Sequence, residues 1–279
     1  MSDNENENVT NNEPRKRAMT SEKASEVKKQ GHEDEKEFAK LIGMESEYQN
    51  GPTDKKDVVD KNGDTHSLKG GNKRWQIFLY SPDRFKKDYI FKVMGGTGDG
   101  IGKLLLACLD CFPDEYSVYQ ADKAKYKNLL KYKMIELSGK LQNDEVFAAF
   151  LHKSIFNCGE VTYLTIKNDD IFHVFLNDDV IDTLIKNLTR ETSIAKQQNQ
   201  MDYQKVTFVY NSINVGTIEI RHDSDVHYRQ AVFSLDKKPI LDLLISNAAK
   251  KEAWGSSVIV YGKAIKKFQK NHKSILISK

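Results

Sequence analysis

KKDVVDKNGDTHSLKGG, residues 55–71, decides how the rest of this chain is read. Two short runs, 55–60 and 64–69, have strand character, and Asn62-Gly63 between them is a strong hairpin signal because both residues tolerate positive φ. A hairpin turning there folds its second strand back over its first. Lys69 then returns beside Asp57, at one edge of a small sheet. Gly70-Gly71 removes side chains next to that point and lets a large ligand approach.

A carboxylate beside an ammonium at an open edge suits phosphodiester hydrolysis. That reaction needs a hard divalent cation, and Mg²⁺ is held by oxygen ligands, often one or two carboxylates completed by substrate and water. Asp57 supplies one such ligand and a backbone carbonyl of the returning strand, Leu68, a second. Lys69 is then placed to orient the attacking water and to stabilise developing charge. Asp54 is the alternative to Asp57; Asp60 and Asp64 are nearby alternative acids, of which Asp64 reads rather as a turn residue.

Around this hairpin the chain resembles the PD-(D/E)xK nucleases, in which an Asp on one strand is followed by acid-x-Lys on the next. Here the pattern reads Asp57, then Ser67-Leu68-Lys69. The preceding helix GHEDEKEFA (31–39) offers Glu35 as the family's helical glutamate, and WQI (75–77) offers Gln76 on the strand after the lysine. The resemblance covers roughly residues 31–80. It implies a restriction-endonuclease-like core of α/β (α+β) class, with a mixed central sheet flanked by helices. It further implies Mg²⁺ on Asp57, Glu35 and the Leu68 carbonyl, and a catalytic set of Asp57, Lys69, Glu35, Ser67 and Gln76. By size the chain looks like a type II restriction endonuclease cutting duplex DNA as a homodimer. The departure is Ser67, which stands where the family has its middle acid. It leaves the number of metals open, and it keeps a non-catalytic DNA-binding protein of the same fold, or a structure-specific repair or recombination nuclease, as alternatives.

Composition frames this reading. The chain has 279 residues and a net charge of +3. No apolar run reaches the ~20 residues of a membrane span, so no membrane association is expected. The three cysteines, Cys108, Cys111 and Cys158, are too few for a disulfide framework and point to a reducing, cytoplasmic setting. Cys108 and Cys111 form a CxxC, but Cys108 sits in the apolar run LLLACL, so the pair reads as core thiols of a helix.

Residues 1–20 read as a disordered polar tail and 21–279 as one domain, with 205–279 as a part that could recognise DNA. Helices are expected over 21–43, 103–109, 122–139, 143–153, 179–188 and 238–251. Strands are expected over 75–81, 161–167, 171–176, 205–211, 215–222 and 227–235. No internal repeat is evident. GGTGDGIGKL (95–104) lacks the P-loop spacing and has Leu104 where Ser or Thr is required, so it reads as a loop.

EIRHDSDVHYRQ (219–230) suits nucleic-acid contact: Arg221 or Arg229 for bases or phosphate, with His227 and Tyr228 as hydrogen-bonding partners. KAKYKNLLKYK (123–133) adds five lysines, with Lys125 and Lys127 as phosphate contacts, and 250–279 carries eight lysines against Glu252.

Overall fold

The computed structural model describes residues 21–44, 56–71, 74–93, 100–195 and 200–272. The expected tail (1–20), Asp54 and residues 95–99 of the Gly-rich loop lie outside the described residues.

Helix α1 (Ser21–Leu41) leads to the hairpin of β1 (Val58–Val59) and β2 (Thr65–Lys69). The hairpin pairs Val58 with His66 and Val59 with Thr65. Its turn differs from the expected one. Only Gly63 of the Asn-Gly pair has positive φ (+79°). The loop is three residues long, closed by Asp60 N donating to Asp64 O (2.8 Å). Asp60 Oδ1 accepts from the backbone N–H of both Asn62 and Asp64 (2.9 Å each). A buried aspartate nucleates the turn, and a left-handed glycine finishes it. The two-residue turn with both φ positive occurs elsewhere, at Asn211-Ser212.

The remaining elements, in order, are β3 (Arg74–Tyr80), α2 (Pro82–Lys87), α3 (Tyr89–Val93), α4 (Ile101–Leu109), α5 (Tyr116–Ala121), α6 (Lys123–Leu141) and α7 (Asp144–Phe156). Then follow β4 (Tyr163–Asn168), β5 (Ile171–Leu176), α8 (Asn177–Asn187), β6 (Thr189–Ala195), β7 (Gln200–Tyr210), β8 (Ile213–Arg221) and β9 (Gln230–Asp236). The described chain closes with α9 (Lys237–Asn247), β10 (Lys251–Trp254), β11 (Val258–Tyr261) and α10 (Ala264–His272). The class is α+β.

The strands form two sheets where one mixed central sheet was expected. Sheet A is six-stranded and mixed, in the order β1-β2-β4-β5-β11-β10; sheet B has five strands in the order β3-β9-β8-β7-β6. In sheet A, β2 runs parallel to β4 and β11 parallel to β5. Strand β3, which follows the lysine strand in sequence, joins sheet B beside β9. Packing explains the choice. Phe78 meets Phe85, Phe91, Phe150 and Phe233 with ring centroids 5.9–6.2 Å apart, a cluster that draws β3 to sheet B.

Side-chain alternation divides sheet A between two cores. Val58, Leu68, Tyr163, Phe172, Val174 and Val260 pack under α1 and α10, against Phe38, Ala39 and Phe268. Leu164, Ile166, Phe175 and Tyr261 point the other way, into a larger core shared with sheet B and helices α4 and α6–α9.

Although the sequence gives no sign of a repeat, one build occurs twice. Hairpin β4–β5 runs directly into α8, and hairpin β8–β9 into α9, each helix eleven residues long. The strand after each helix crosses to the other sheet: β6 to sheet B, β10 to sheet A.

Candidate active site

Asp57 sits just before β1, its N–H donating to His66 O (2.9 Å). Alternation along the hairpin puts Val58, His66 and Leu68 toward α1 and leaves Asp57, Ser67 and Lys69 on the opposite face. Asp57 Oδ2 accepts from Leu68 N (2.6 Å) and from Ser67 Oγ (3.4 Å), and lies 3.5 Å from Lys69 Nζ. Lys69 Nζ also donates to the Leu68 carbonyl (3.2 Å). Both charged side chains are mostly covered, 18% exposed for Asp57 and 25% for Lys69. The expected meeting of Asp57 and Lys69 across the hairpin is present.

Burial pushes the Asp57 carboxyl above the usual carboxylate range. Lys69 and the Leu68 N–H pull it back, and the nearby negative charge of Glu35 pushes it up again. Glu35 reaches this neighbourhood from α1, where His32 Nδ1 lies 3.2 Å from its Oε2. Two carboxylates on different elements therefore share one field.

The sign of this shift makes a prediction. Asp57 binds its proton more readily in the folded chain than in the unfolded one, so its charge costs stability above the native pKa and nothing below the unfolded value. Asp57→Asn should raise the thermal midpoint at pH 7, with the gap to the parent closing as pH falls toward about 4. Thermal unfolding stepped through pH checks this; a midpoint at or below the parent's at pH 7 contradicts it.

The donor set is of the kind that would hold Mg²⁺. It offers two carboxylates, whose mutual repulsion a cation would relieve, and the Leu68 carbonyl. Among the described residues no group of three or more His, Cys, Asp or Glu side chains could hold a metal. Ser67 is 1% exposed and donates to Asp57. It fixes the orientation of the aspartate and presents no ligand of its own to solvent. The CxxC thiols offer no alternative centre: Cys108 is buried in α4, and burial pushes its thiol far up.

Gln76 is placed differently from expectation. It is exposed on β3, opposite Ser234 of sheet B, and does not stand on a strand neighbouring Lys69. The stretch 222–229 is folded against residues 109–119. Arg229, with φ +52°, pairs with Asp110 (3.1 Å) and Asp114 and donates to Leu109 O (3.3 Å). Tyr228 donates to Pro113 O (2.9 Å), and burial pushes its phenol up to about 12. His222 stacks on Phe112. His227 Nδ1 lies 3.2 Å from Gln230 Oε1, and Arg221, half-buried, ends β8 opposite Gln230. Lys125 and Lys127 are exposed on α6, with Lys125 Nζ 5.3 Å from the Tyr126 ring centre.

Sequence reading missed Asp34 and Lys167. Asp34, 4% exposed on the side chain, lies 2.8 Å from Lys167 Nζ. Only the density of acids in EDEKE (33–37) hinted at a buried one.

A cleft of about 920 Å³ opens at the far edge of sheet A, lined by Phe175, Tyr261, Lys263 and Glu252 among others. Of its five lysines, Lys186, Lys250, Lys251, Lys263 and Lys266, Lys263 is paired with Asp179 (3.1 Å) and Asp182 (3.7 Å). At the hairpin edge a carboxylate lies beside an ammonium, both partly exposed.

No protein-family model matches this chain, and no curated protein or solved structure shows a significant likeness to it. No described helix is long and apolar enough to cross a membrane.

Proposed function

We propose that this chain is a Mg²⁺-dependent endodeoxyribonuclease of the PD-(D/E)xK kind, working as a type II restriction endonuclease in the cytoplasm. The observation that carries the proposal is the meeting of Asp57, the Leu68 carbonyl and Lys69 within one hairpin, with Glu35 brought to it by α1. A helix laid on a mixed sheet whose edge hairpin bears those groups also supports a restriction-endonuclease-like core.

Asp57 and Glu35 hold the cation, and Ser67 and the Leu68 N–H keep the aspartate oriented. Lys69, tethered to Asp57, holds a water by its ammonium and offsets the charge that develops on the phosphate. Mg²⁺ held there would supply positive charge against the phosphate and make water a better nucleophile. Arg221, Lys125 and Lys127 are available for the DNA backbone, and Arg229, His227 and Tyr228 shape the surface beside Arg221. A homodimer matches two-fold symmetric sites.

One observation favours a second reading. Ser67 removes the usual middle acid, as expected of a non-catalytic DNA-binding protein of the same fold. Plasmid DNA incubated with the protein in Mg²⁺, and separately in EDTA, distinguishes the two. Discrete fragments in Mg²⁺ alone are expected. Retarded but intact DNA supports the binder, and products independent of sequence point to a structure-specific repair or recombination nuclease.

A further inference from the structure

Two consecutive acids of α1 have different surroundings. Glu35 contributes to the field at Asp57. Asp34 turns into the protein and accepts from Lys167 Nζ (2.8 Å) and Gln30 Nε2 (3.0 Å). Lys167 also donates to Glu37 Oε2 (2.6 Å), and its own carbonyl accepts from the buried Lys237 Nζ (2.8 Å). Lys167 extends β4 one residue past Ile166, and Ile166 is the register partner of Lys69. Gly70, directly after Lys69, completes the joint: a Cβ there would lie 2.2 Å from Asp34 Oδ2. The carboxylate has packed into the space the missing side chain leaves.

We infer that Lys167 and Asp34 are positioning residues for the metal site, clamping the helix that carries Glu35 to the strands that carry Asp57 and Lys69. The inference rests on the nuclease reading above. The clamp touches neither Asp57 nor the Lys69 ammonium. It ties α1 to β4 at the level of Lys69, and so sets the distance from Glu35 to the hairpin. Groups that orient metal ligands typically affect affinity by roughly 10–100-fold. A merely structural ion pair would lower stability and leave affinity alone. Lys153 and Asp88, a comparably buried pair on α7 and the α2–α3 junction, provide that control.

The experiment is Mn²⁺ binding by the DNA-free protein, followed by calorimetry well below each variant's unfolding midpoint, with Mg²⁺ titrations of plasmid cleavage alongside. Lys167→Met and Asp34→Asn should each weaken Mn²⁺ binding roughly tenfold or more and raise the Mg²⁺ needed for half-maximal cleavage. Lys167→Arg should recover most of the affinity, and Lys153→Met should bind Mn²⁺ as the parent does. Asp34→Asn conserves shape, so it reports even if Lys167→Met does not fold. If Asp57→Ala abolishes Mn²⁺ binding while Asp34→Asn and Lys167→Met bind as the parent does, the clamp is overturned and the nuclease reading stands. If the parent binds no Mn²⁺, or Asp57→Ala binds it undiminished, both fail together.

Discussion

Asp57→Ala and Lys69→Ala should each lower Mg²⁺-dependent plasmid cleavage by roughly a hundred- to a thousandfold, the scale on which preorganised charge acts in catalysis. Asp57→Ala removes one of the two carboxylates proposed to hold the cation and deprives Leu68 N and Ser67 Oγ of their acceptor. Lys69→Ala removes the ammonium 3.5 Å from that carboxylate. Lys69→Arg should not restore the rate, because a planar guanidinium cannot replace a compact, rotating ammonium. Duplex affinity in Ca²⁺ should stay within a few-fold of the parent for Lys69→Ala, and far-ultraviolet circular dichroism should be unchanged for both alanine variants. Cleavage at the parental rate by either alanine variant would falsify the catalytic assignment.

Lys153→Ala costs about 3–5 kcal/mol of stability, the usual consequence of leaving one charge of a buried pair alone. Lys153 and Asp88 are 6% and 10% exposed, and their charged atoms lie 2.9 Å apart. The ammonium also donates to Asn157 Oδ1 (2.8 Å) and lies 5.5 Å from the Phe91 ring centre. Removing it strands the Asp88 carboxylate among the phenylalanines that hold β3 to sheet B. The double variant Lys153→Met, Asp88→Asn should recover most of the loss. No charge is then left buried, and the amide oxygen of Asn can still accept from Phe91 N, as Asp88 Oδ1 does (3.2 Å). Urea unfolding followed by circular dichroism measures both. A single-variant loss below about 1 kcal/mol would place this pair with weak surface bridges.

What was legible in the sequence was local. The α1 stripe ending near Gly43, the hairpin around Asp60–Asp64, the alternation of β4 and β5, and helices α8 and α9 all follow from spacing within a few residues. So does the meeting of Asp57 and Lys69, because a short hairpin fixes who stands opposite whom. The partners chosen across the chain were not legible. Strand β3 has the pattern of a buried strand, yet nothing in WQIFLYS says that it pairs with β9. β10 and β11 are four residues each, too short to show a period. β6, TRETSIA, is mostly polar and reads as a loop. Lys167 is one lysine of many until the fold brings it to Asp34, 133 residues away. Arg229 looked suited to base contact by residue type. Its ion pairs with Asp110 and Asp114 depend on where α4 ends, which the spacing of 219–230 does not encode.

The exchange of strands between the sheets has a consequence for synthesis. Thr65 N, at the start of β2, finds its acceptor on Thr162, 97 residues downstream. At roughly 5–20 residues per second, the hairpin emerges from the ribosome and waits on the order of ten seconds for the strand that supports it. β5 waits in turn for β11, made after all of sheet B. Sheet B can close while sheet A still lacks its later strands. A nascent chain stopped before Val258 therefore carries Asp57 and Lys69 on an unfinished sheet, and the proposed cutting edge matures only once β11 has been made.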